Sequence, residues 1–488
     1  MNLTVGEIAG ACGGNLYLRT VGNTVTEETK VDSVTLDSRK VTAGGVFIAN
    51  VGERRDGHEF IAQVFAGGAA LVVVEKTPEQ VEKEWGVPAD AWGSYVLVED
   101  SLRALKEIGA YYRSKLTIPV VGITGSVGKT STKEFVAGVL SEKYHVLKTD
   151  GNYNNELGVP LTLLRIREEH EAAVVEMGIS DFGEMHRLSK MARPDICVIT
   201  NIGQCHLENL KSREGILKAK TEIFDFMSED GEVCLNGEDD MLRTVTQVRG
   251  KKPHFFGLGG DDCEEVYASD IVSRGLLGSS AMLHIGNEGF SVEVPLPGRH
   301  MVINAAAAAC VADILGMSAE QIAEGIKKVQ PVNGRNNLLR MSNYIVIDDC
   351  YNANPVSMQS AIDLLAMAET YRVAILGDMF ELGEDSDAMH AQVGAYAAES
   401  GADCILCVGE NSRHMYEEAV KTVEENKTAD SDEPAENSQK IYYFLSREDL
   451  LTTLKEQREE LLPEGCAVLV KASHGMKFEE VIEYLKQA

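Results

Sequence analysis

The sequence predicts an α/β protein with more than one domain. Apolar, strand-like runs alternate with helix-like segments along most of the 488 residues, which is the pattern of strands covered by helices. The length exceeds what one hydrophobic core usually organises, so two to four domains are expected. A Gly-rich loop lies between an apolar run and a helical segment near residue 125. Changes in pattern divide the chain into three units, 1–100, 101–331 and 332–488.

The composition predicts a globular protein that does not bind nucleic acid. Hydrophobic residues make up 44% and charged residues 25%, which is typical of soluble domains. The formal charge of −30 argues against a nucleic-acid partner, since a phosphate backbone requires a basic surface. No apolar run approaches the roughly 20 residues of a membrane helix, and the first residues do not resemble a signal peptide. Ten scattered cysteines fit a reducing compartment, with Cys404 and Cys407 expected as buried thiols.

The first unit is expected to contain short strands and helices joined by Gly-rich turns. Thr4 and Glu7 have the spacing of a capping box, which predicts a short helix near the start of the chain. Ser38 and Arg39 share a turn, where a hydroxyl and a guanidinium suit a phosphate or carboxylate. A surface turn with a structural arginine is the simpler interpretation. The expected strands are 46–49, 70–74 and 95–98, and a helix is expected near 58–66.

A phosphate-binding loop is predicted at residues 124–130, Thr-Gly-Ser-Val-Gly-Lys-Thr. It follows an apolar run and precedes a helix-like segment, so its N–H groups would point at polyphosphate from the positive end of that helix. Lys129 would add charge near the β- and γ-phosphates, and the Thr130 hydroxyl would ligate Mg²⁺. The spacing is shorter than G-x-x-x-x-G-K-[ST], and an ordinary Gly-rich turn is the alternative. The loop predicts that the protein uses ATP or GTP.

Two further candidates of the central unit follow expected strands. Strands are expected at Ala172–Glu176 and 194–200, so Glu176 and His206 lie at or after carboxyl ends. Ligands of open α/β sheets gather at that edge. A lone Glu or His is usually structural, but beside a phosphate-binding loop the pair favours metal or phosphate chemistry.

Polar residues also cluster in two other segments of the central unit. Residues 150–160 are rich in asparagine, and amides such as those of Asn152 and Asn155 can hydrogen-bond a sugar or a peptide; an Asn/Gly turn cluster is the alternative. The helical pattern at 216–224 carries lysines that would by default form a solvated face. The surrounding elements are expected to be a helix over 101–115, irregular strands over 250–295 and an Ala-rich helix beyond 304.

The third unit alternates regularly between strands and helices, which predicts a parallel sheet. Its first strand ends at Asp348 and Asp349, and Cys-Tyr-Asn-Ala-Asn-Pro follows, so chemically capable residues again lie at a carboxyl end. Residues 424–438 are acidic and poor in apolar residues, and we expect a solvated, mobile loop there. The expected strands are 344–347, 373–376, 404–408, 441–444 and 467–470.

Together these motifs resemble those of the Mur ligases, the ATP-dependent ligases that build the peptidoglycan stem peptide. The matching stretches occur in order along nearly the whole chain: TGSVGKT (124–130), GNYNNELGVP (151–160), VVEMG (174–178), TNIGQCH (200–206), AKTEIF (219–224), PGRHMVIN (297–304), GR (334–335) and DDCYNANP (348–355). DDCYNANP, GDMFELG (377–383) and residues 37–39 resemble the family member that adds D-alanyl-D-alanine to UDP-N-acetylmuramoyl-tripeptide.

This resemblance implies an N-terminal UDP-sugar-binding α/β domain (1–100), a central P-loop-type ATPase domain (101–331) and a C-terminal Rossmann-like domain (332–488). Family members activate a peptide carboxylate as an acyl phosphate, which an amine then attacks. The implied products are UDP-MurNAc-pentapeptide, ADP and phosphate, and the implied cofactors are ATP and two Mg²⁺ ions. The resemblance further implies a cytoplasmic, monomeric bacterial protein of peptidoglycan synthesis, cell shape and cell division, with no membrane insertion.

Carried over by position, the resemblance assigns the candidate site residues. The catalytic residues are Lys129, Glu176, His206 and Lys220, and the metal ligands are Thr130, Glu176, His206 and Lys220. The ATP-binding residues are Gly125, Ser126, Gly128, Lys129, Thr130, His300, Asn304, Arg335 and Asp349. The substrate-binding residues are Ser38, Arg39, Asn152, Asn155, Tyr351, Asn352 and Asn354. Lys220 matches a lysine that is carbamylated in the family, and its carbamylation here is a hypothesis.

One departure and several alternatives stay open. Residues 471–474 are Lys-Ala-Ser-His where the family commonly has Lys-Gly-Ser-Arg, which leaves the role of that loop open. The alternatives are a sister Mur-type ligase, a folylpolyglutamate synthase, or a non-catalytic ATP-binding partner. The presence of Lys129, Glu176 and His206 argues against the last of these. Whether the tripeptide ends in diaminopimelate or lysine is not indicated by the sequence.

Overall fold

The computed structural model describes residues 1–19, 25–52, 55–259, 265–332, 334–335, 337–341, 343–429 and 439–487. Over these ranges the chain forms three separate β-sheets with helices packed against them, which confirms the predicted three-domain α/β fold. The strands of the three sheets come from successive stretches of the chain, 15–97, 120–294 and 337–471. No helix within the described ranges is both long and apolar enough to cross a lipid bilayer.

The first sheet is short-stranded and almost entirely parallel. Its strands are β1 (Asn15–Tyr17), β2 (Val34–Thr35), β3 (Val46–Ile48), β4 (Leu71–Val74) and β5 (Tyr95–Leu97). The helices before residue 100 are α1 (Val5–Ala11), α2 (Ile61–Ala66) and α3 (Pro78–Trp85), and α4 (Ser101–Ser114) follows β5. The order is β1-β5-β4-β3-β2, and only β1 is antiparallel to its neighbour. The capping box predicted for Thr4 and Glu7 is present at the start of α1.

The second sheet has nine strands and carries the phosphate-binding loop. Its strands are β6 (Val120–Thr124), β7 (Val146–Lys148), β8 (Ala172–Glu176), β9 (Ile196–Ile199), β10 (Glu232–Asn236), β11 (His254–Leu258), β12 (Val266–Ser273), β13 (Ser279–Ile285) and β14 (Glu288–Val294). The order is β14-β13-β12-β11-β10-β9-β6-β8-β7, parallel from β12 to β7 and antiparallel at β13 and β14. β6 lies between β8 and β9, so their carboxyl ends meet at one edge.

Besides α4, seven helices of the described residues accompany this sheet. They are α5 (Lys129–Leu140), α6 (Gly158–Leu163), α7 (Glu184–Ala192), α8 (Leu207–Leu210), α9 (Arg213–Thr221), α10 (Arg299–Ile314) and α11 (Ala319–Lys327). The Ala-rich helix predicted beyond residue 304 is α10, and its small side chains allow it to pack closely against α5 and the sheet. α5 begins directly after the phosphate-binding loop, as the motif requires.

The third sheet is parallel except at one edge. Its strands are β15 (Asn337–Arg340), β16 (Ile345–Asp348), β17 (Arg372–Gly377), β18 (Cys404–Val408), β19 (Lys440–Phe444) and β20 (Ala467–Lys471), in the order β15-β16-β20-β17-β18-β19. Only β15, which the sequence pattern did not predict, is antiparallel. The helices are α12 (Pro355–Ala366), α13 (Ser386–Glu399), α14 (Ser412–Ala429), α15 (Arg447–Glu456), α16 (Arg458–Leu461) and α17 (Glu479–Gln487).

The hydrophobic cores show which parts of the chain are joined firmly. One continuous cluster contains buried residues of both the first and the second sheet, from Leu3 to Phe255. The third sheet is enclosed by two clusters of its own, one on each face. Among the described residues of the second sheet and its connections, Leu207 and Leu276, both partly buried, pack against them. The C-terminal domain therefore has its own core and meets the rest of the protein over a smaller apolar contact.

Two local predictions are decided by the structure. The loop predicted over 424–438 is wrong for residues 424–429, which form the last part of α14; residues 430–438 lie outside the described ranges. Residues 424–426 are exposed, and a helix tolerates acidic residues on a face that is turned to solvent. The prediction that Cys404 and Cys407 are buried thiols is confirmed, since both are free and fully buried in β18.

Candidate active site

The phosphate-binding loop has a backbone that only glycine adopts without strain at two positions. Gly128 has φ +84° and Gly125 has φ +149°. A Cβ at Gly125 would lie 1.9 Å from Thr200 Oγ1, so no side chain fits there. The Asn201 side chain fixes the loop, because its Oδ1 accepts from the Val127 N–H at 2.9 Å and its Nδ2 donates to the Val127 carbonyl at 3.0 Å. The first N–H groups of α5 thus face the cleft without a capping side chain.

Lys129 is held above this loop by its own backbone. Its Nζ donates to the carbonyl oxygens of Gly125 at 2.8 Å and Ser126 at 3.3 Å. Burial lowers the pKa of Lys129 below its usual value. When a polyphosphate binds, the Lys129 ammonium group can replace its hydrogen bonds to the loop carbonyls with hydrogen bonds to phosphate oxygens. The arrangement suits a polyphosphate bound over the N-terminus of α5.

Glu176 is the most enclosed carboxylate of the site, with 1% of its surface exposed. Its Oε2 accepts from Thr130 Oγ1 at 2.9 Å, and its Oε1 accepts from Asn154 Nδ2 at 2.8 Å. Lys133 Nζ lies 3.9 Å from Oε2 and donates to the Thr149 carbonyl at 2.7 Å. Both carboxylate oxygens are therefore oriented by neighbouring donors before any ligand binds.

Asn154 and Lys133 were not among the residues that the sequence assigned to the site. The sequence signal for Asn154 was the asparagine-rich segment 150–160, of which it is a member. Asn152, which was assigned, is exposed and does not line the cleft, because the turn directs Asn154 towards Glu176 instead. Lys133 lies one helical turn after Lys129, but a periodic pattern does not distinguish a buried lysine from a solvated one.

His206 and Lys220 lie beyond the end of β9. His206 has φ +52°, and its Nδ1 lies 2.8 Å from Glu381 Oε2 of the C-terminal domain. Burial lowers the pKa of His206, and the Glu381 carboxylate opposes that shift. Lys220 is 1% exposed, and burial together with the nearby Lys129 charge lowers its pKa to about 8. The default expectation of a solvated lysine face is therefore wrong for Lys220 and holds for the exposed Lys218.

A cleft of about 650 Å³ joins these residues to the C-terminal domain. Its wall on the C-terminal side contains Arg335, Asp349, Tyr351, Asn352, Asn354 and Lys471, and its central-domain wall includes Ser126, Gly128, Lys129, Glu176, His206, His300 and Asn304. Gly125, Thr130 and Lys220 lie behind that wall rather than on it. The cavity thus brings together most of the residues that the sequence predicted for the ATP side and the C-terminal side of the site.

Asn304, His300 and the residues of the C-terminal wall have specific surroundings in the structure. Asn304 Oδ1 accepts from Thr132 Oγ1 at 2.9 Å, and burial lowers the pKa of His300. The Arg335 guanidinium lies 4.1 Å from the centre of the Tyr351 ring, close enough for a cation–π contact. Two further groups form a buried ion pair: Lys471 Nζ lies 2.5 Å from Asp349 Oδ2.

Residues 471–474, the loop that departs from the family pattern, lie partly on the cleft and partly beside it. Lys471 lines the cleft, and its Nζ also donates to the Asn352 carbonyl at 2.9 Å. His474 lies outside the cleft, with its ring 5.6 Å from that of Tyr351. Ser473 Oγ accepts from the Phe380 N–H at 2.9 Å. Lys471 and Ser473 therefore hydrogen-bond residues of the C-terminal domain, and His474 packs beside Tyr351 of the cleft.

Apart from the exposed Asn152, the predicted substrate-binding residues lie in two clefts. Asn155 and Asn354 line the cleft. Asn155 Oδ1 also accepts from the Leu157 and Gly158 N–H groups at the start of α6, and Asn354 Oδ1 accepts from the Ser357 N–H at the start of α12. Ser38 and Arg39 line a separate cleft of about 690 Å³ in the N-terminal domain. Arg39 is largely exposed and pairs with Asp37 at 2.9 Å, and this contact lowers the pKa of Asp37 to about 2.

The donor set fits Mg²⁺ only together with a phosphate ligand. Within the described ranges no group of three or more His, Cys, Asp or Glu side chains is placed to hold a metal ion. Thr130 and Glu176 nevertheless place a hydroxyl and a carboxylate 2.9 Å apart beside the phosphate-binding loop. Mg²⁺ is usually held by one or two carboxylates with phosphate oxygens and water, so this pair fits such an ion.

Comparisons with known proteins agree with this architecture. Three family profiles match: the Mur ligase family catalytic domain at 30–113, the Mur ligase middle domain at 123–312, and the Mur ligase glutamate ligase domain at 334–474. The UDP-N-acetylmuramoyl-tripeptide–D-alanyl-D-alanine ligase of Bacillus subtilis is 35% identical over 470 residues, which cover 96% of this chain and 95% of that protein.

Two solved structures are similar over almost the full length. A crystal structure of MurF from Acinetobacter baumannii has a TM-score of 0.83 at 31% identity and covers 100% of this chain and 99% of that one. MurF ligase from Thermotoga maritima in complex with ADP has a TM-score of 0.76 at 29% identity and covers 93% and 97%.

Proposed function

This chain belongs to the Mur ligase family, and from that premise we propose that it joins D-alanyl-D-alanine to UDP-N-acetylmuramoyl-tripeptide with cleavage of ATP to ADP and phosphate. The observation that carries the proposal is the cleft between the central and C-terminal domains. There the phosphate-binding loop and Glu176 face Tyr351, Asn352 and Asn354 across one cavity. A ligase needs this arrangement because ATP, a carboxylate and an amine must meet in one place.

Residues of the central-domain wall activate the terminal carboxylate of the tripeptide. The loop N–H groups and Lys129 bind the phosphates of ATP and compensate the charge on the transferred γ-phosphoryl group. Thr130 and Glu176 would hold one Mg²⁺, with Glu176, His206 and Lys220 assigned to a second. These ions would neutralise phosphate charge. The product of the step is an acyl phosphate at the end of the tripeptide.

The second step is attack of the D-alanyl-D-alanine amine on that acyl phosphate, with departure of inorganic phosphate. Tyr351, Asn352 and Asn354 lie in the C-terminal wall and are assigned to the dipeptide and the acyl phosphate. The oxyanion that forms needs fixed positive charge. Among the described residues of that wall, Arg335 is a cation that lies outside the Lys471–Asp349 pair. Closure of the domains keeps water from the acyl phosphate.

Carbamylation of Lys220 is part of the proposal. A lysine must be a neutral amine to capture CO₂, and burial lowers the pKa of Lys220 to about 8, so a useful fraction is neutral near pH 7. The carbamate would be an anion beside the Lys129 ammonium and would convert a repulsive pair of charges into an attractive one. It would also give the second ion a carboxylate-like ligand.

Three further points complete the proposal. Ser38 and Arg39 are assigned to the UDP group, since they line a cleft of their own in the N-terminal domain. The domain limits 1–100, 101–331 and 332–488 are retained, with the strands of one sheet inside each. We also retain a cytoplasmic location and a monomeric state.

The test is phosphate release by the purified protein with Mg-ATP and UDP-MurNAc-tripeptide, with or without D-alanyl-D-alanine. We expect release that requires both substrates and matches the amount of pentapeptide formed. L-Glutamate, L-lysine and meso-diaminopimelate serve as alternative acceptors, because sister ligases and folylpolyglutamate synthase add single amino acids. Release with one of those acceptors and not with the dipeptide would favour a sister enzyme, and no release with any acceptor would favour a non-catalytic role.

A further inference from the structure

We infer that Asp348, a buried residue at the end of β16, positions the Arg335 guanidinium on the C-terminal wall of the cleft by holding the backbone of Gly334. Asp348 Oδ2 accepts from the Gly334 N–H at 3.0 Å. Asp348 is 6% exposed and is not among the described residues that line the cleft, so it is a positioning residue that acts through Gly334. The inference rests on the proposed function, which takes Arg335 as the cation for the oxyanion.

Gly334 is fixed at both of its peptide groups. Its N–H donates to Asp348, and its carbonyl accepts from the Tyr351 N–H at 3.0 Å. Gly334 has φ +73°, which glycine adopts without strain, and a Cβ there would lie 3.3 Å from Tyr351 Cβ. The segment that leads from the central domain into β15 is therefore tied to the residues on both sides of the turn that follows β16.

The Asp348 carboxylate has an assigned partner for each of its oxygens. Oδ2 accepts from Gly334, and Oδ1 accepts from Cys350 Sγ at 3.1 Å. Gly334 is itself buried, and a buried backbone N–H needs an acceptor from the protein. The register of β15 and β16 also places Asn337 opposite Asp348, so the chain passes this residue at Gly334 and again at Asn337. The position of Arg335 between these two points is thus restricted by one side chain.

Arg335 directly follows the fixed glycine. Its N–H donates to the Val332 carbonyl at 3.0 Å, and its guanidinium lies 4.1 Å from the centre of the Tyr351 ring. Because the Tyr351 N–H is bonded to Gly334, the same backbone contacts orient both members of this cation–π pair, and both line the cleft. The Arg335 charge also acts across the cleft: burial is the main cause of the lowered pKa of Lys129, and the Arg335 charge contributes to the lowering.

A charge that stabilises an oxyanion is effective when it is held in place before the oxyanion forms. An arginine side chain has many rotamers, and ordering it costs conformational entropy. If the Asp348 contact is lost, Arg335 keeps its charge, but the backbone that directs it towards Tyr351 is no longer fixed. The expected consequence is a cation that is present in the protein and absent for much of the time from its place in the cleft.

Four variants test the inference. Asp348→Ala removes the acceptor, and Asp348→Val removes it with a side chain that buried strands favour, which supplies a folded variant if alanine destabilises β16. Asp348→Asn keeps an acceptor oxygen for the Gly334 N–H. Cys350→Ala is the matched control, because it removes the partner of the other carboxylate oxygen and leaves the Gly334 contact in place.

The first measurement is the NMR shift of the Arg335 side-chain protons in protein labelled with ¹³C,¹⁵N-arginine, without nucleotide or substrate. Their signals are assigned by their loss in Arg335→Lys, and Tyr351→Leu gives the shift without the ring. An aromatic ring shields protons above its face, so we expect an upfield shift in the parent, Asp348→Asn and Cys350→Ala. We expect most of that shift to disappear in Asp348→Ala and Asp348→Val.

This measurement does not depend on the proposed function. A parent without the upfield shift would overturn the inference, and so would an Asp348→Ala or Asp348→Val protein that retains it in full. Loss of the shift in Asp348→Asn to the same extent as in Asp348→Ala would also overturn it, because the acceptor oxygen would then not be the cause.

The second measurement is kcat for phosphate release with both substrates. We expect a loss of about 10²-fold in Arg335→Ala, as for removal of an oxyanion donor, and of about tenfold or more in Asp348→Ala from misplacement of the same group. Asp348→Asn and Cys350→Ala should match the parent. The double variant Asp348→Ala/Arg335→Ala should have the kcat of Arg335→Ala alone, because residues that act as one unit are not additive.

A merely structural role of Asp348 would lower kcat by the same factor whether or not Arg335 is present. A double variant in which the two losses multiply would therefore overturn the inference, as would an Asp348→Ala protein as active as Cys350→Ala. A parent that is inactive with both substrates would count against the proposed function alone, and the Arg335 proton shifts would then decide the inference.

Discussion

Lys129→Ala is expected to lower kcat/KM for ATP by about 10²–10³-fold, which corresponds to about 3–4 kcal/mol of lost transition-state stabilisation. The reason is that Lys129 is the charged group directly over the phosphate-binding loop, held there by the Gly125 and Ser126 carbonyls. Charge on the transferred phosphoryl group must be compensated in a cleft where water is excluded. Steady-state phosphate release against ATP concentration gives the value.

The matched control for this variant is Lys143→Ala, which removes the same charge from an exposed position after α5. The Lys143 Nζ donates to the Leu315 and Gly316 carbonyls and lies over the Tyr144 ring, away from the cleft. Its kcat/KM should stay within about twofold of the parent value, as is usual for an exposed surface position. If Lys129→Ala kept more than a tenth of the activity, the assignment of the loop to the phosphates of ATP would be wrong.

Lys220→Met is expected to abolish activity and to stabilise the fold at pH 7. Burial lowers the pKa of Lys220 from 10.5 to about 8, so below pH 8 the folded state bears the cost of a buried ammonium group. That cost is about 3 kcal/mol, decreases as pH rises from 8 to 10.5 and is absent above that range. Replacement by methionine, which is uncharged and similar in length, removes it. The stabilisation relative to the parent should therefore be full below pH 8 and disappear near pH 10.5.

Denaturant unfolding in metal-free, bicarbonate-free buffer measures this difference, and phosphate release measures the activity. Lys218→Met is the control, because Lys218 is exposed on the same helix two residues earlier. It should change neither quantity. An active Lys220→Met protein would contradict the proposed role of the carbamate, and a destabilised one at pH 7 would contradict the buried-charge argument.

The elements that the sequence predicted well are those with a local signal. A capping box, a Gly-rich loop between a strand and a helix, and apolar runs of four or five residues depend on neighbours in the chain, so Thr4, Gly128 and the strand ending at Glu176 were found. Strand β15 was not, because a short antiparallel edge strand is half exposed and has no apolar run. The end of α14 was misplaced because acidic composition alone does not distinguish a solvated helix from a loop.

The parts of the site that were missed depend on contacts between distant segments. His206 and Glu381 are 175 residues apart and lie in different domains, so no spacing or periodicity connects them. Lys471 and Asp349 likewise pair across the third sheet, at the ends of two neighbouring strands, β20 and β16. The burial of Lys220 follows from what packs on its helix, which a helical pattern does not contain. For such residues the sequence supplies candidates and the fold decides among them.

The central claim is that ATP activates a carboxylate as an acyl phosphate in the cleft. The most direct measurement supplies UDP-MurNAc-tripeptide labelled with ¹⁸O in its terminal carboxylate, together with ATP and D-alanyl-D-alanine. If the carboxylate oxygen attacks the γ-phosphorus, one labelled oxygen leaves with the phosphate for each pentapeptide formed, and mass spectrometry of the phosphate should find it. Phosphate that carries no label while pentapeptide accumulates would contradict the acyl-phosphate account.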